Sequence, residues 1–127
     1  MDAMKTHAVW LALAACACAA APPPMSLPAD FPPTVREAIW SDAARRAGVG
    51  AERLQLMSAQ AVTWRDGALG CPEPGRLYTQ ALLPGWRVEL AAPGGVALLY
   101  HISRRGGTWL WCPRERAQTP APGDSTI

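Results

Sequence analysis

The chain has 127 residues, 17% of them charged, with a formal net charge of +2. A length on this scale holds one domain at most, and so weak a charge balance excludes nucleic acid or a polyanionic substrate held by bulk electrostatics. Eleven of the 12 basic residues are arginines, spread from Arg36 to Arg116 rather than gathered in one stripe, while 13 prolines and 11 glycines mark a chain with many turns. No apolar run reaches the roughly 18 residues that a spanning helix requires.

Residues 1–15 have the form of a secretory leader: Lys5 and His7 make a weakly basic start, and Ala8–Ala15 is a short apolar run. The four residues Leu13-Ala14-Ala15-Cys16 resemble the bacterial lipoprotein signal box, an aliphatic residue and two small ones before a cysteine. The resemblance implies that Cys16 becomes the first residue of the mature protein. It would then carry palmitate-like acyl chains on sulfur and amine, making the membrane a partner through a lipid anchor. Ala17, rather than Asp, follows Cys16, which by the same resemblance implies an outer-membrane destination facing the periplasm. The alternative is an ordinary leader cut near Ala17-Cys18-Ala19, releasing a soluble protein.

Residues 16–33 contain Pro22, Pro23, Pro24, Pro28, Pro32 and Pro33 without a periodic apolar face, as in a semi-rigid tether. Residues 114–127 are polar, with Pro120 and Pro122, and read as a disordered tail. The domain is expected between them, over 34–113. Thr34-Val35-Arg36-Glu37 has capping-box form. Val35, Ala38, Ile39, Ala43 and Ala47 then share a helical face, and Gly48 offers a left-handed stop.

Beyond Gly50 the apolar period becomes two. Leu54, Leu56, Val62 and Trp64 predict a long strand whose phase slips near Ser58–Gln60. Asp66-Gly67 turns the chain, and Leu69–Gly75 is irregular. Strands are expected over Arg76–Leu83, Trp86–Leu90, Val96–Ile102 and Thr108–Cys112, divided by Pro84-Gly85, Pro93-Gly94-Gly95 and Arg104–Gly107. The predicted class is α+β: one N-terminal helix packed on a four- to five-stranded antiparallel sheet. If Cys16 is lipidated and Cys18 lies in the tether, Cys71 and Cys112 are left to form one disulfide. A metal site is the poorer reading, because the domain has no CxxC pair and only one histidine.

The run Trp64-Arg65-Asp66-Gly67-Ala68-Leu69-Gly70-Cys71-Pro72-Glu73-Pro74-Gly75 leads on to Tyr78-Thr79-Gln80, Pro84-Gly85-Trp86-Arg87, Tyr100-His101 and Cys112. This pattern resembles a group of uncharacterised exported bacterial domains, with Trp86 standing where a tyrosine is usual. The resemblance brings no activity with it. Each motif residue has an ordinary structural explanation in turns, brace or core.

A functional reading makes Glu73, Tyr78, Trp86, His101, Trp109 and Trp111 candidate binding residues. Trp109 and Trp111 share one strand face and would form a stacking surface for sugar or peptide. His101 with Asp66 or Glu73 would make an acid/base pair, although no nucleophile motif accompanies it and no catalytic residue is assigned. Neither cofactor nor metal is expected. The sequence thus points to a cell-envelope lipoprotein presenting a binding or interaction domain to an envelope protein or the cell wall. The alternatives are an inhibitor or accessory protein of an envelope enzyme and, further behind, a small hydrolase.

Overall fold

The computed structural model describes residues 25–122, so the leader, Cys16 and Cys18 lie outside the described residues. Helix α1 spans Pro33–Ala47. The expected Thr34 cap is corrected by the prolines before it. Pro33 takes the first helical position, where its fixed φ suits the helix and its missing N–H costs nothing. Pro32 becomes the N-cap without any side-chain bond, leaving Thr34 exposed inside the first turn. The far end follows the sequence: Gly48 adopts the left-handed conformation, and Val49 N donates to Ala44 O at 3.1 Å.

Four antiparallel strands lie in chain order: β1 Gln55–Trp64, β2 Leu83–Ala92, β3 Val96–Ser103 and β4 Trp109–Trp111. The bulge in β1 falls between Leu56 and Ser58, at the near edge of the expected slip. The expected strand over Arg76–Leu83 does not form, and residues 76–80 have no regular structure. Leu77 and Thr79 alternate with polar neighbours as a strand would, yet both side chains face solvent.

Pro84-Gly85, read as a turn, lies instead inside β2. Pro84 stands opposite Thr63, whose carbonyl points away from β2 and accepts from Ala121 N at 2.9 Å. The pair therefore needs no ladder bond from the proline. Pro84 O accepts from Arg104 N at 2.8 Å on the other side. A proline near a strand's start, on a side that asks for no donor, is tolerated.

The sheet has two covered faces. On one, Trp86, Val88 and Leu90 of β2 and Leu98, Tyr100 and Ile102 of β3 meet Phe31, Val35, Ile39 and Ala43. Ile39, Val88, Leu90 and Ile102 are wholly buried, each contributing roughly 1.5–3 kcal/mol of hydrophobic stabilisation at full burial. Phe31 corrects the expected boundary: it belongs to the core, and Leu27 packs beside it, so the folded unit begins inside the Pro-rich segment.

A polar clasp fixes α1 over this face. Asp42 Oδ2 accepts from the Tyr100 hydroxyl at 2.7 Å and from Arg46 Nε at 2.6 Å. Burial alone raises the Asp42 carboxyl, but the bonds from Arg46 and Tyr100 and the charges of Arg46 and Arg45 outweigh it. The group sits below its ordinary value. Burial first, and then the bond and charge of Asp42, push the Tyr100 phenol up.

The opposite face holds Val62, Trp64 and Leu69, with Leu83 and Leu110 beside them. Its cover is the loop after β1 together with the C-terminal segment, which corrects the expected disordered tail over its described part. Arg114–Arg116 form a 3₁₀ turn. Gln118 N then donates to Gly70 O at 2.8 Å, and Ala121 reaches Thr63 on the edge of β1. Arg114 also pairs with Glu89 at 2.8 Å. Cys71 and Cys112 form the expected disulfide, with Cα atoms 5.8 Å apart and a sequence separation of 41. It ties the irregular loop to the end of β4.

Candidate functional site

The motif residues converge on one indole. Trp64 is wholly buried; its Nε1 donates to Ile102 O at 3.0 Å, and its ring stacks on the His101 imidazole. A Cβ added at Gly85 would overlap Ile102 O and Trp64 Nε1, so only glycine leaves room there. Gly70 has a φ of +68°, and a Cβ there would come 2.6 Å from Trp64 Cζ3. Gly70 and Gly85 of the pattern are therefore walls of a seat for Trp64, whereas Trp86 points to the opposite face.

His101 closes that seat from below. Leu69 O can only accept, so His101 Nδ1 carries the proton and donates to it at 2.5 Å. Leu69 is strained to a φ of +53° in presenting that carbonyl. His101 Nε2 is buried and has no hydrogen-bond partner among the described residues. Burial first, and then the Arg87 charge across the strand pair, push the imidazole down to about 4 against the bond from Leu69, so it is neutral at physiological pH. No carboxylate bonds to it. Asp66 Oδ1 accepts instead from Ala68 N at 2.9 Å, shaping its own turn, and Glu73 pairs with Arg76.

Three more candidates also turn inward. Trp86 is 2% exposed, tilted against Phe31 with centroids 5.0 Å apart and covered by the Arg104 guanidinium. Trp109 and Trp111 do share a strand face, but it is the face beneath α1. Trp109 packs on Tyr100, and Arg46 sits 4.1 Å from the centroid of Trp111. The expected stacking surface is therefore half-buried in the core rather than offered to a ligand.

Glu73 and Tyr78 remain at the surface, and the structure brings them together. The Tyr78 hydroxyl accepts from Glu73 N at 2.9 Å, and Tyr78 O accepts from Gln80 Nε2 at 3.3 Å. Arg76 lies over the Tyr78 ring and bridges to Glu73 at 3.2 Å. Gly67 N donates to Thr79 O at 2.8 Å, pinning the loop's other limb. At its crest stands Leu77, 96% exposed. Sequence reading missed Leu77 by placing it in a strand; the Pro74-Gly75 turn just before it was the available signal.

One more concavity, of about 910 Å³, runs between α1 and Gly48–Leu54 over Trp40, Ala44, Val49 and Leu54. It is open and holds none of the candidate residues. Among the described residues no group of three or more His, Cys, Asp or Glu side chains lies together, and no helix is long and apolar enough to cross a membrane.

These features define a small disulfide-braced α+β domain whose sequence motif builds its second core and whose polar loop is held rigid at the surface. The chain belongs to the family described as Domain of unknown function (DUF8738), whose model matches residues 36–112. That span takes in Trp64, His101 and both disulfide cysteines, and leaves out Phe31 and the C-terminal segment. No curated protein and no solved structure matches the chain significantly.

Proposed function

We propose that this protein is a cell-envelope lipoprotein, anchored through Cys16 to the outer membrane and presenting a rigid interaction domain to the periplasm. One observation carries the reading. Cys71 and Cys112 are bonded to each other, which suits an oxidising compartment. The remaining cysteines then fall in the leader region, with Cys16 directly behind Leu13-Ala14-Ala15. Double acylation there would anchor the chain stably, where a single acyl chain would not.

Metabolic labelling with a clickable palmitate analogue tests the anchor. Wild-type protein should label in the envelope fraction, and Cys16→Ser should lose the label and accumulate as precursor. Labelling that survives the substitution would sink the assignment.

A second reading, an inhibitor or accessory protein of an envelope enzyme, is favoured by the loop around Leu77, a surface apolar side chain on a segment braced from both sides. The hydrolase reading has no such support, since His101 is sealed between Trp64 and Leu69.

A further inference from the structure

We infer that the domain rests on the bilayer that anchors it, through an apolar rim formed by Met25, Leu27, Trp40 and Leu56. The inference rests on the lipoprotein reading and names the surface that meets the lipid. Two concavities join at Trp40 and Arg36. One, of about 390 Å³, is bounded by Met25, Leu27 and Leu56; the other, of about 910 Å³, continues past Ala44 and Val49. Met25 is 56% exposed, while Leu27, Trp40, Val49 and Leu56 are half-buried against the first core. The Arg36 guanidinium lies 4.8 Å from the centre of the Trp40 ring. An indole under a cation suits the membrane–water boundary, where the ring settles at headgroup level and the guanidinium reaches phosphate.

The place where the described chain begins selects the lipid as the occupant. Met25 is the first described residue, and it stands on this rim. From Cys16 to Met25 is nine residues, a stretch that spans no more than about 32 Å. A domain of this size has a radius of gyration of about 13 Å, so its width is comparable with that reach. The anchor therefore enters from the Met25 side, and the opposite side can meet the bilayer only at the limit of the tether. Tethering also makes the contact intramolecular, so that a weak apolar patch suffices. Arg36 and Arg45 are balanced by Glu37 and Glu52 around the groove. Apolar burial, and not attraction to anionic lipid, then drives the contact.

The test uses the mature lipidated protein in phosphatidylethanolamine–phosphatidylglycerol vesicles containing brominated phospholipid, which quenches nearby indoles. Wild-type fluorescence should be quenched, in high salt as in low, and Trp40→Phe should lose most of that quenching. Trp64 and Trp86 are buried and supply the unquenched background. Met25→Asp should lower the ratio of docked to undocked protein about 10-fold, as expected when a methionine's burial is lost. Its melting temperature should not move, because more than half of the side chain already faces water.

Vesicle-held wild type without quenching, or quenching equal in Trp40→Phe, would overturn the inference and leave the anchor standing. So would crosslinks joining the Trp40 surfaces of two copies while the indole stays shielded from bromine, which would make the rim a self-interface. A chain that mass spectrometry finds unacylated, and that leaves the vesicles, would overturn the anchor and the inference together.

Discussion

The rings of Trp64 and His101 lie 4.4 Å apart and only 24° from parallel, stacked between the sheet and the loop that follows β1. The stack requires a neutral imidazole, because Nε2 has no hydrogen-bond partner among the described residues and the Arg87 charge opposes protonation. Protonation would place an unpaired cation in the second core.

That requirement sets an acid limit on the fold. His101 is held at about 4 in the folded chain against an ordinary 6.5. Its contribution is complete above 6.5 and drains away as pH falls through 4, a loss on the order of 3 kcal/mol. Asp42, also depressed, acts on the more acid side, below its ordinary 3.8. Melts between pH 7 and 5 should show the melting temperature falling well above the range in which Asp42 acts. His101→Gln should start less stable and show a flatter slope across that window; an unchanged slope would clear His101 of the effect.

The C-terminal segment is expected to be structural. Ending the chain after Pro113 removes the bonds from Gln118 to Gly70 and from Ala121 to Thr63, each worth about 1 kcal/mol, and thins the cover over Trp64. The melting temperature should drop by several degrees or more, with faster amide exchange at Leu69–Cys71. A truncated chain that melts with the full-length protein would show the docking to be incidental.

Gly85→Ala and Gly70→Ala should each cost about 2–3 kcal/mol, because overpacking a close-packed site forces neighbours off their rotamers. At Gly70 the left-handed φ adds strain. Near-ultraviolet circular dichroism should report the displaced Trp64. A Gly94→Ala control, where a Cβ meets nothing within 4 Å, separates strain from crowding.

Within the loop, Glu73→Ala should change stability by no more than about 0.5 kcal/mol, since its bridges are surface ones. The bond from Glu73 N to Tyr78 belongs to the backbone and survives the change. Tyr78→Phe should loosen the loop, seen as faster exchange of the Glu73 amide, with the core untouched. Reduction of the disulfide should cost about 4 kcal/mol in the chain-entropy treatment of a loop this long, and denaturant titration with and without reductant measures it directly.

Much of this architecture was legible in residue order. The α1 face, the Gly48 stop, the hairpin at Pro93-Gly94-Gly95 and the Cys71–Cys112 pairing follow from local periodicity, turn chemistry and cysteine count. What failed was tertiary. Alternation at Leu77 and Thr79 looks like a strand, but a strand also needs a partner, and among the described residues no strand pairs with that segment. Pro84-Gly85 looks like a turn, but β2 admits the proline opposite an outward carbonyl and needs the glycine beneath Trp64. Trp109 and Trp111 were rightly placed on one strand face. Period two does not say which face a helix covers, so their burial was invisible, as was the burial of Trp86 and His101. Glu73 and Tyr78 survive as surface residues because prolines and a turn were already written around them.

The closing of the second face has a consequence for how the chain matures. Gly70, beside the Trp64 ring, and Thr63, next to it in β1, are tied down by Gln118 and Ala121, more than fifty residues beyond Trp64. A growing chain that has not yet delivered those residues carries an uncovered indole beside Val62 and an open edge on β1, surfaces that invite association with other chains. Completion of this core therefore waits until the chain has reached Ala121. A chain threaded N-terminus first through any narrow channel would stay threadable until Gln118–Ala121 emerged, and would lock only after that.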